Sequence, residues 1–278
     1  MALCYVHGND CAIAIAEHIS GSVENFSKLM NKKVEELNLK NTHFVTPHGL
    51  DDNNHYTTAY ELALLTNYAL NNKTFKEIVN TKTATIYING NPKEISNTNE
   101  LLGNLDGIYG VKTGFTFNAG RCLVSACTRD NFDIIVVVLG ADTKGIRTLD
   151  SRNIINYIYN NFEPVNTYDL VLKSFENYKL YFNKNIILEK TIDSPIIKIS
   201  EVPNYTFPLQ KNSIMDLKTK TFTFSKLHGT SLKDTKIGYL TMYYKGRILY
   251  SLDISLDNTI SRNTWQYYFK SVFKDYFD

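Results

Sequence analysis

The sequence predicts an α+β protein in three parts: an antiparallel sheet with helices over residues 1–162, a small all-β domain over 163–258, and a C-terminal amphipathic helix over 259–278. Three observations carry that expectation. Apolar residues at helical spacing, with caps, recur on both sides of one loop in the chain up to Val79. Three strand-like runs separated by tight turns then follow one another between Gly110 and Leu139, before another helix. Beyond Glu163–Pro164 the segments are short and alternating, until the tail returns to helical spacing.

The elements are justified in chain order. "NDCAIAIAEHIS" (Asn9–Ser20) is apolar and helix-prone. Ser22 can cap a second helix, in which Val23, Phe26, Leu29, Met30, Val34 and Leu37 recur at helical spacing. "NTHFVTPHGLDDNNHY" is rich in Asn, Asp, Gly and Pro and reads as a loop. Thr58 and Glu61 fit a capping box for "AYELALLTNYAL", and a short helix over Thr74–Val79 follows. "TATIYINGNPKEI" predicts a hairpin turning at Asn89–Pro92.

Strands are expected at Gly110–Thr116, Arg121–Thr128 and Phe132–Leu139. "IIVVVL" is apolar on both faces, which predicts a central strand covered on both sides. A helix over Ile146–Tyr159 closes the first part. In the second part, "TKTFTF" and "GYLTMYYKGRILYSLDI" read as strands, the latter a hairpin turning near Lys245–Gly246, within a sandwich or barrel. In the tail, Trp265, Tyr268, Phe269, Val272, Phe273, Tyr276 and Phe277 make one continuous apolar helical face. Such a helix either packs on the protein or lies in the plane of a membrane surface.

A net charge of +2 with acids and bases interspersed is a poor electrostatic footprint for nucleic acid, which is excluded as a partner. No apolar run reaches the length that spans a bilayer. Met1 leads directly into "ALCYVHGND", so no signal peptide is read. The four cysteines show no disulfide framework. On a helix Cys4 and Cys11 would stand ~10 Å apart, and Cys122 and Cys127 point to opposite faces of a strand. Four small buried thiols are expected. His43, His48 and His55 fall in a loop with no acidic ligand pattern, so neither a metal nor an organic cofactor is expected.

The chemistry concentrates in "YGVKTGFTFNAGRC" (Tyr109–Cys122), where Lys112, Thr113 and Gly114 interrupt an apolar strand. A cation, a hydroxyl and a residue without a side chain suit an extended ligand with an anionic end, lying along a strand edge. The tripeptide is short. Its setting of strand, hairpin, apolar strand and helix adds specificity.

With "HGNDCAIAIAEHISGS", "LNLKNTHFVTPHGLDD", "HYTTAYELALL", "NTNELL", "DGIYGVKTGFT", "AGRCLVSACTRD" and "VVVLGADTKGIR" in the same order, the chain resembles the low-molecular-weight penicillin-binding proteins, the serine-type D-alanyl-D-alanine carboxypeptidases. The resemblance covers nearly all of residues 1–162. Residues 163–258 resemble the family's smaller β domain, a β-sandwich, and 259–278 its C-terminal anchor. It implies a β-lactamase/transpeptidase-like domain, here lacking its N-terminal portion. It also implies a reaction in which a serine attacks the last peptide bond of a cell-wall stem peptide, D-alanine leaves, and water resolves the acyl-enzyme.

The implied partners are peptidoglycan stem peptides, β-lactams and, through the tail, a membrane surface. The implied location is extracytoplasmic and membrane-associated. Asn9 and Lys112 are implied in catalysis; Lys112, Thr113, Gly114, Phe115, Thr116 and Arg147 in substrate binding. The Phe115 N–H would be half of an oxyanion hole. Thr116 matches a second threonine of the family's pattern. Arg147 matches an arginine near the substrate carboxylate, its plainer reading being a helix-surface charge.

The departures from the family are as informative. The Ser-x-x-Lys motif lies upstream of Ser-x-Asn in the family, and the Ser-x-Asn equivalent here is His7-Gly8-Asn9. The nucleophilic serine and general-base lysine are therefore missing from this chain, and Ser271–Lys274 is rejected as out of order. His7 is either a substitute proton carrier or a drifted position. Without the family's N-terminal strands, "IIVVVL" would have an unpaired neighbour. The expectation is a chain inactive alone: a carboxypeptidase without its nucleophile segment, or a non-catalytic remnant that binds stem peptides or β-lactams. A β-lactamase is disfavoured, since nothing resembles that class's deacylating glutamate loop.

Overall fold

The computed structural model describes residues 8–266 and residue 269. The chain divides into two compact units, Met1–Asn161 and Phe162–Asp278. His7 and most of the expected tail face lie outside the described residues. Trp265 and Phe269, one helical turn apart, meet edge to face at 5.9 Å.

The first unit begins with α1 (Asn9–Ser20) and α2 (Val23–Glu36). Gly21 adopts φ +79° between them, and its N–H donates to the Glu17 carbonyl. Ser22 caps α2 by accepting the Asn25 N–H at 3.1 Å. Of the expected α2 stripe, Val34 is buried and Leu29 is exposed. Cys11 is exposed, Cys122 half-buried and Cys127 buried, which corrects the expectation of uniformly buried thiols. Cys11 sits a step round the helix from Ala12 and Ala16, the residues that α1 buries.

Helices α3 (Ala59–Leu70) and α4 (Lys73–Asn80) follow the loop. Thr58 accepts the Glu61 N–H at 3.2 Å, which is half of the expected capping box. The other half is not made. The Glu61 carboxylate, 7 % exposed, accepts instead from the Asn41 backbone N–H at 2.9 Å and the Thr42 hydroxyl at 2.5 Å. Burial works against its charge, but these donors outweigh that and hold the carboxyl below the ordinary glutamate range. Glu61 thus ties the start of the loop to α3.

β1 (Thr83–Ile88) and β2 (Asn91–Ser96) form a hairpin. Its turn is the two residues Asn89 and Gly90, both at positive φ, so Asn91 and Pro92 belong to the strand. β3 (Ile108–Thr116), β4 (Gly120–Arg129) and β5 (Phe132–Ala141) make an antiparallel sheet in that order, and α5 (Lys144–Asn161) follows.

Both faces of β5 are covered. On one, Ile134 and Val138 join Leu123 and Cys127 against Leu101, Leu102 and α5, where Ile155 is fully buried. Such a side chain contributes about 1.5–3 kcal/mol. On the other, Ile135 and Val137 pack with Val124, Ala126, Leu62 and Leu70 of α3 and Phe75 and Val79 of α4. The expected central position is corrected: among the described residues β5 is an outer strand paired with β4 alone, and its two apolar faces are accounted for by the layers on either side and not by a second neighbouring strand.

In the second unit the all-β expectation for 163–258 is overturned. An 18-residue helix, α6 (Tyr168–Asn185), lies between β6 (Phe162–Asn166) and β7 (Ile187–Glu189). Its Val171, Phe175 and Phe182 are buried with Leu240, Met242, Ile254 and Leu256, the core side of a four-stranded sheet. That sheet runs β10 (Leu217–Thr223), β12 (Lys236–Tyr244), β13 (Arg247–Leu256), β8 (Ile197–Ile199). The β12–β13 hairpin turns at Lys245–Gly246, both at positive φ.

Candidate active site

Among the described residues β3 is an edge strand, and its second half walls a cleft of about 560 Å³ in the first unit. Every described residue expected in the site lines this cleft: Asn9 from the first turn of α1, Lys112 to Thr116 from β3, and Arg147 from α5. The loop residues His48, Gly49 and Leu50 line it too, with Thr98, Arg121 and Lys144.

Lys112 is half-buried, and its ammonium donates to the Thr113 carbonyl. Thr113 is 3 % exposed, and its hydroxyl oxygen lies 2.6 Å from that of Thr98. Two hydroxyls in contact use one proton between them, which leaves the other to be offered elsewhere. Thr98 is held by the asparagines on either side of it. Asn97 Nδ2 donates to the Val79 carbonyl at 3.2 Å, and its Oδ1 accepts the Asn99 N–H at 3.0 Å. Asn99 Nδ2 donates to the Gly110 carbonyl of β3 at 2.9 Å, and its Oδ1 accepts the Leu101 N–H at 3.1 Å. "NTN" is thus a clamp between α4 and β3 that sets one hydroxyl against another.

Gly114 is not required by the fold's own packing. A Cβ there would meet only the Cys122 Cβ, at 3.8 Å. At Gly110 the same atom would come within 2.9 Å of Val79 Cγ2, so that glycine is demanded by the approach of α4. The blank at Gly114 leaves room on the cleft side instead. Thr116 accepts the Ala119 N–H at 3.0 Å, so it also shapes the β3–β4 turn. Phe115 carries the Arg121 guanidinium 3.6 Å above its ring and meets Phe117 edge to face at 5.6 Å.

Arg147 is no helix-surface charge: it is 3 % exposed. Its Nη2 pairs with the Glu100 carboxylate at 3.1 Å, which the Thr148 hydroxyl also reaches. Its Nε has no hydrogen-bond partner among the described residues. Lys112, Arg121, Lys144 and Arg147 bring positive charge to the cleft, and no carboxylate, serine or cysteine is among its described lining residues. A concave wall of one sign concentrates the opposite charge, so the cleft suits an anionic ligand end.

Histidines fasten the loop beside the site. His48 Nδ1 accepts the Leu50 N–H at 3.2 Å, and His55 Nδ1 accepts the Val45 N–H at 3.1 Å. Burial, helped by neighbouring His43 and His48 and opposed by Asp52, holds the His55 pKa below its ordinary 6.5.

Sequence reasoning missed Thr98, His48, Leu50, Arg121 and Lys144. Arg121 had a usable signal: counting across the turn after Thr116 sets it opposite Phe115 in the β3–β4 register. His48 and Thr98 reach the cleft through long-range folding and carried no such local sign.

The profile of the D-alanyl-D-alanine carboxypeptidase family matches residues 1–143. The D-alanyl-D-alanine carboxypeptidase DacA of Haemophilus influenzae is 31% identical over 259 residues, covering 92% of this chain and 62% of that protein. DacF of Bacillus subtilis is 30% identical over 243 residues, covering 87% of this chain and 60% of that protein. The chain therefore spans about 60% of the length of these relatives. Among solved structures, penicillin binding protein 5 from Haemophilus influenzae matches with a TM-score of 0.69 at 28% identity, over 94% of this chain and 73% of that one. The Streptomyces K15 DD-transpeptidase matches with a TM-score of 0.54 at 33% identity, over 56% of this chain and 64% of that one. With the family profile matching more than half of its length and a relative 31% identical over 92% of it, the chain belongs to the D-alanyl-D-alanine carboxypeptidase family.

Proposed function

We propose that this chain supplies the carboxylate-gripping part of a serine-type D-alanyl-D-alanine carboxypeptidase that trims the terminal D-alanine from peptidoglycan stem peptides. The observation that carries the reading is the strand Lys112-Thr113-Gly114 lining one cleft with Asn9 and Arg147. The Lys112 ammonium and a Thr113 proton bind the terminal carboxylate. The blank at Gly114 lets the peptide lie along β3. The Asn9 amide holds the substrate backbone, and the Phe115 N–H polarises the scissile carbonyl. β-Lactams enter the same cleft as carboxylate-bearing mimics of the dipeptide end.

Acylation needs a serine hydroxyl beside a lysine, and the chain's Ser-x-x-Lys is confined to Ser271–Lys274. The 278-residue chain is therefore proposed to bind without turnover. A fluorescent penicillin should leave no covalent band on it; a stable band would overturn this part of the proposal. Calorimetric binding of an N-acetylated peptide ending in D-Ala-D-Ala should fall at least about tenfold in Lys112→Met, on the loss of a charge-assisted bond. We further propose an extracytoplasmic place at a membrane surface, which the exposed, aromatic Trp265 and Phe269 support. No helix among the described residues is long and apolar enough to cross a membrane.

A further inference from the structure

Arg121 and Phe115 face each other across the β3–β4 register, with the guanidinium carbon 3.6 Å from the ring centroid. Phe117, 93 % exposed, extends that aromatic surface. The Arg121 guanidinium makes no ion pair or hydrogen bond among the described residues, whereas that of Arg147 in the same cleft is already paired with Glu100. A guanidinium stacked on a ring is held in place while its N–H edges stay available, and those edges match a carboxylate in two-point fashion.

A peptide held by its terminal carboxylate at Lys112 and Thr113 advances about 3.3 Å per residue along β3. If it runs towards Phe115, as the proposed role of the Phe115 N–H at the scissile carbonyl requires, its third residue from the end lies beside Phe115 and Phe117. We propose that Arg121, seated on Phe115, reads the side chain of that third residue and selects a free carboxylate there over an ammonium. The methylenes of a long side chain cover the two rings, and its terminal group meets the cation. An amine-only side chain brings like charge to Arg121 and Lys144 instead. The inference rests on the stem-peptide reading above and names the kind of stem peptide preferred, one whose third residue is a diamino dicarboxylic acid.

Two N-acetylated tripeptides ending in D-Ala-D-Ala test it by titration calorimetry on the whole 278-residue chain. One carries a diamino dicarboxylic acid at the third position from the end, the other lysine. The first should bind about fivefold more tightly, with the advantage shrinking as salt is raised. In Arg121→Gln the ratio should fall to about one, and in Arg121→Lys it should be partly kept. Equal affinities in the parent chain, or a preference surviving in Arg121→Gln, would overturn the inference. If both peptides bind equally and Lys112→Met weakens both, the stem-peptide reading stands and the inference alone fails. If neither peptide binds the parent chain, both fail.

Discussion

The Thr113 hydroxyl lies 2.6 Å from that of Thr98, a residue outside the strand and fixed by asparagines on either side. The hydroxyl proposed to meet a ligand carboxylate is therefore positioned by a neighbour fifteen positions away. Thr98→Val removes the partner while keeping the volume. Affinity for a D-Ala-D-Ala-terminated peptide should drop about two- to tenfold, the worth of one hydrogen bond. Thr98→Ser should restore it, and thermal unfolding of both variants separates this effect from simple destabilisation.

Gly114 and Gly110 lie in one strand and should respond oppositely to alanine. Gly114→Ala meets no clash, so the melting temperature should hold or rise slightly, since alanine is preferred to glycine in a strand by about 0.5–1 kcal/mol. Its peptide binding should fall about tenfold, because the methyl group occupies the ligand's path. Gly110→Ala pushes on Val79 and should lose about 1–3 kcal/mol in urea unfolding.

His55 makes the cleft loop sensitive to pH. Its folded pKa lies below 6.5, so the unfolded chain takes up the proton first as pH falls. The stabilisation is whole above about pH 6.5 and is lost as pH drops through the lower folded value. Protonation also removes the acceptor for the Val45 N–H. The protection factor of the Val45 amide, its exchange rate taken relative to the intrinsic rate at each pH, should fall below pH 6.5, and His55→Gln should flatten that dependence.

Much of this fold was legible because its signals are local. The turns at Asn89–Gly90 and Lys245–Gly246 follow from residues that tolerate positive φ. The helix caps at Ser22 and Thr58 follow from hydroxyls at the right offset. The failures are of two kinds. Helix α6 was hidden by the strand-like character of its neighbours, although Val171, Phe175, Tyr178 and Phe182 carry helical spacing. The side-chain partners of Glu61 and Arg147, Asn41 with Thr42 and Glu100, were not legible because they come from other elements. In the cleft, the Lys112–Thr116 strand could be read directly, whereas the convergence of Thr98, Arg121 and Lys144 required the tertiary structure.

Arg147 Nε is a point of local frustration. Among the described residues this N–H of a desolvated guanidinium has no acceptor, a deficit of about 1–3 kcal/mol. The cost is borne inside the fold: α5 keeps a charged side chain in its packed face for the sake of the one Nη2 contact with Glu100, so the helix carries a built-in weakness at the residue that borders the cleft.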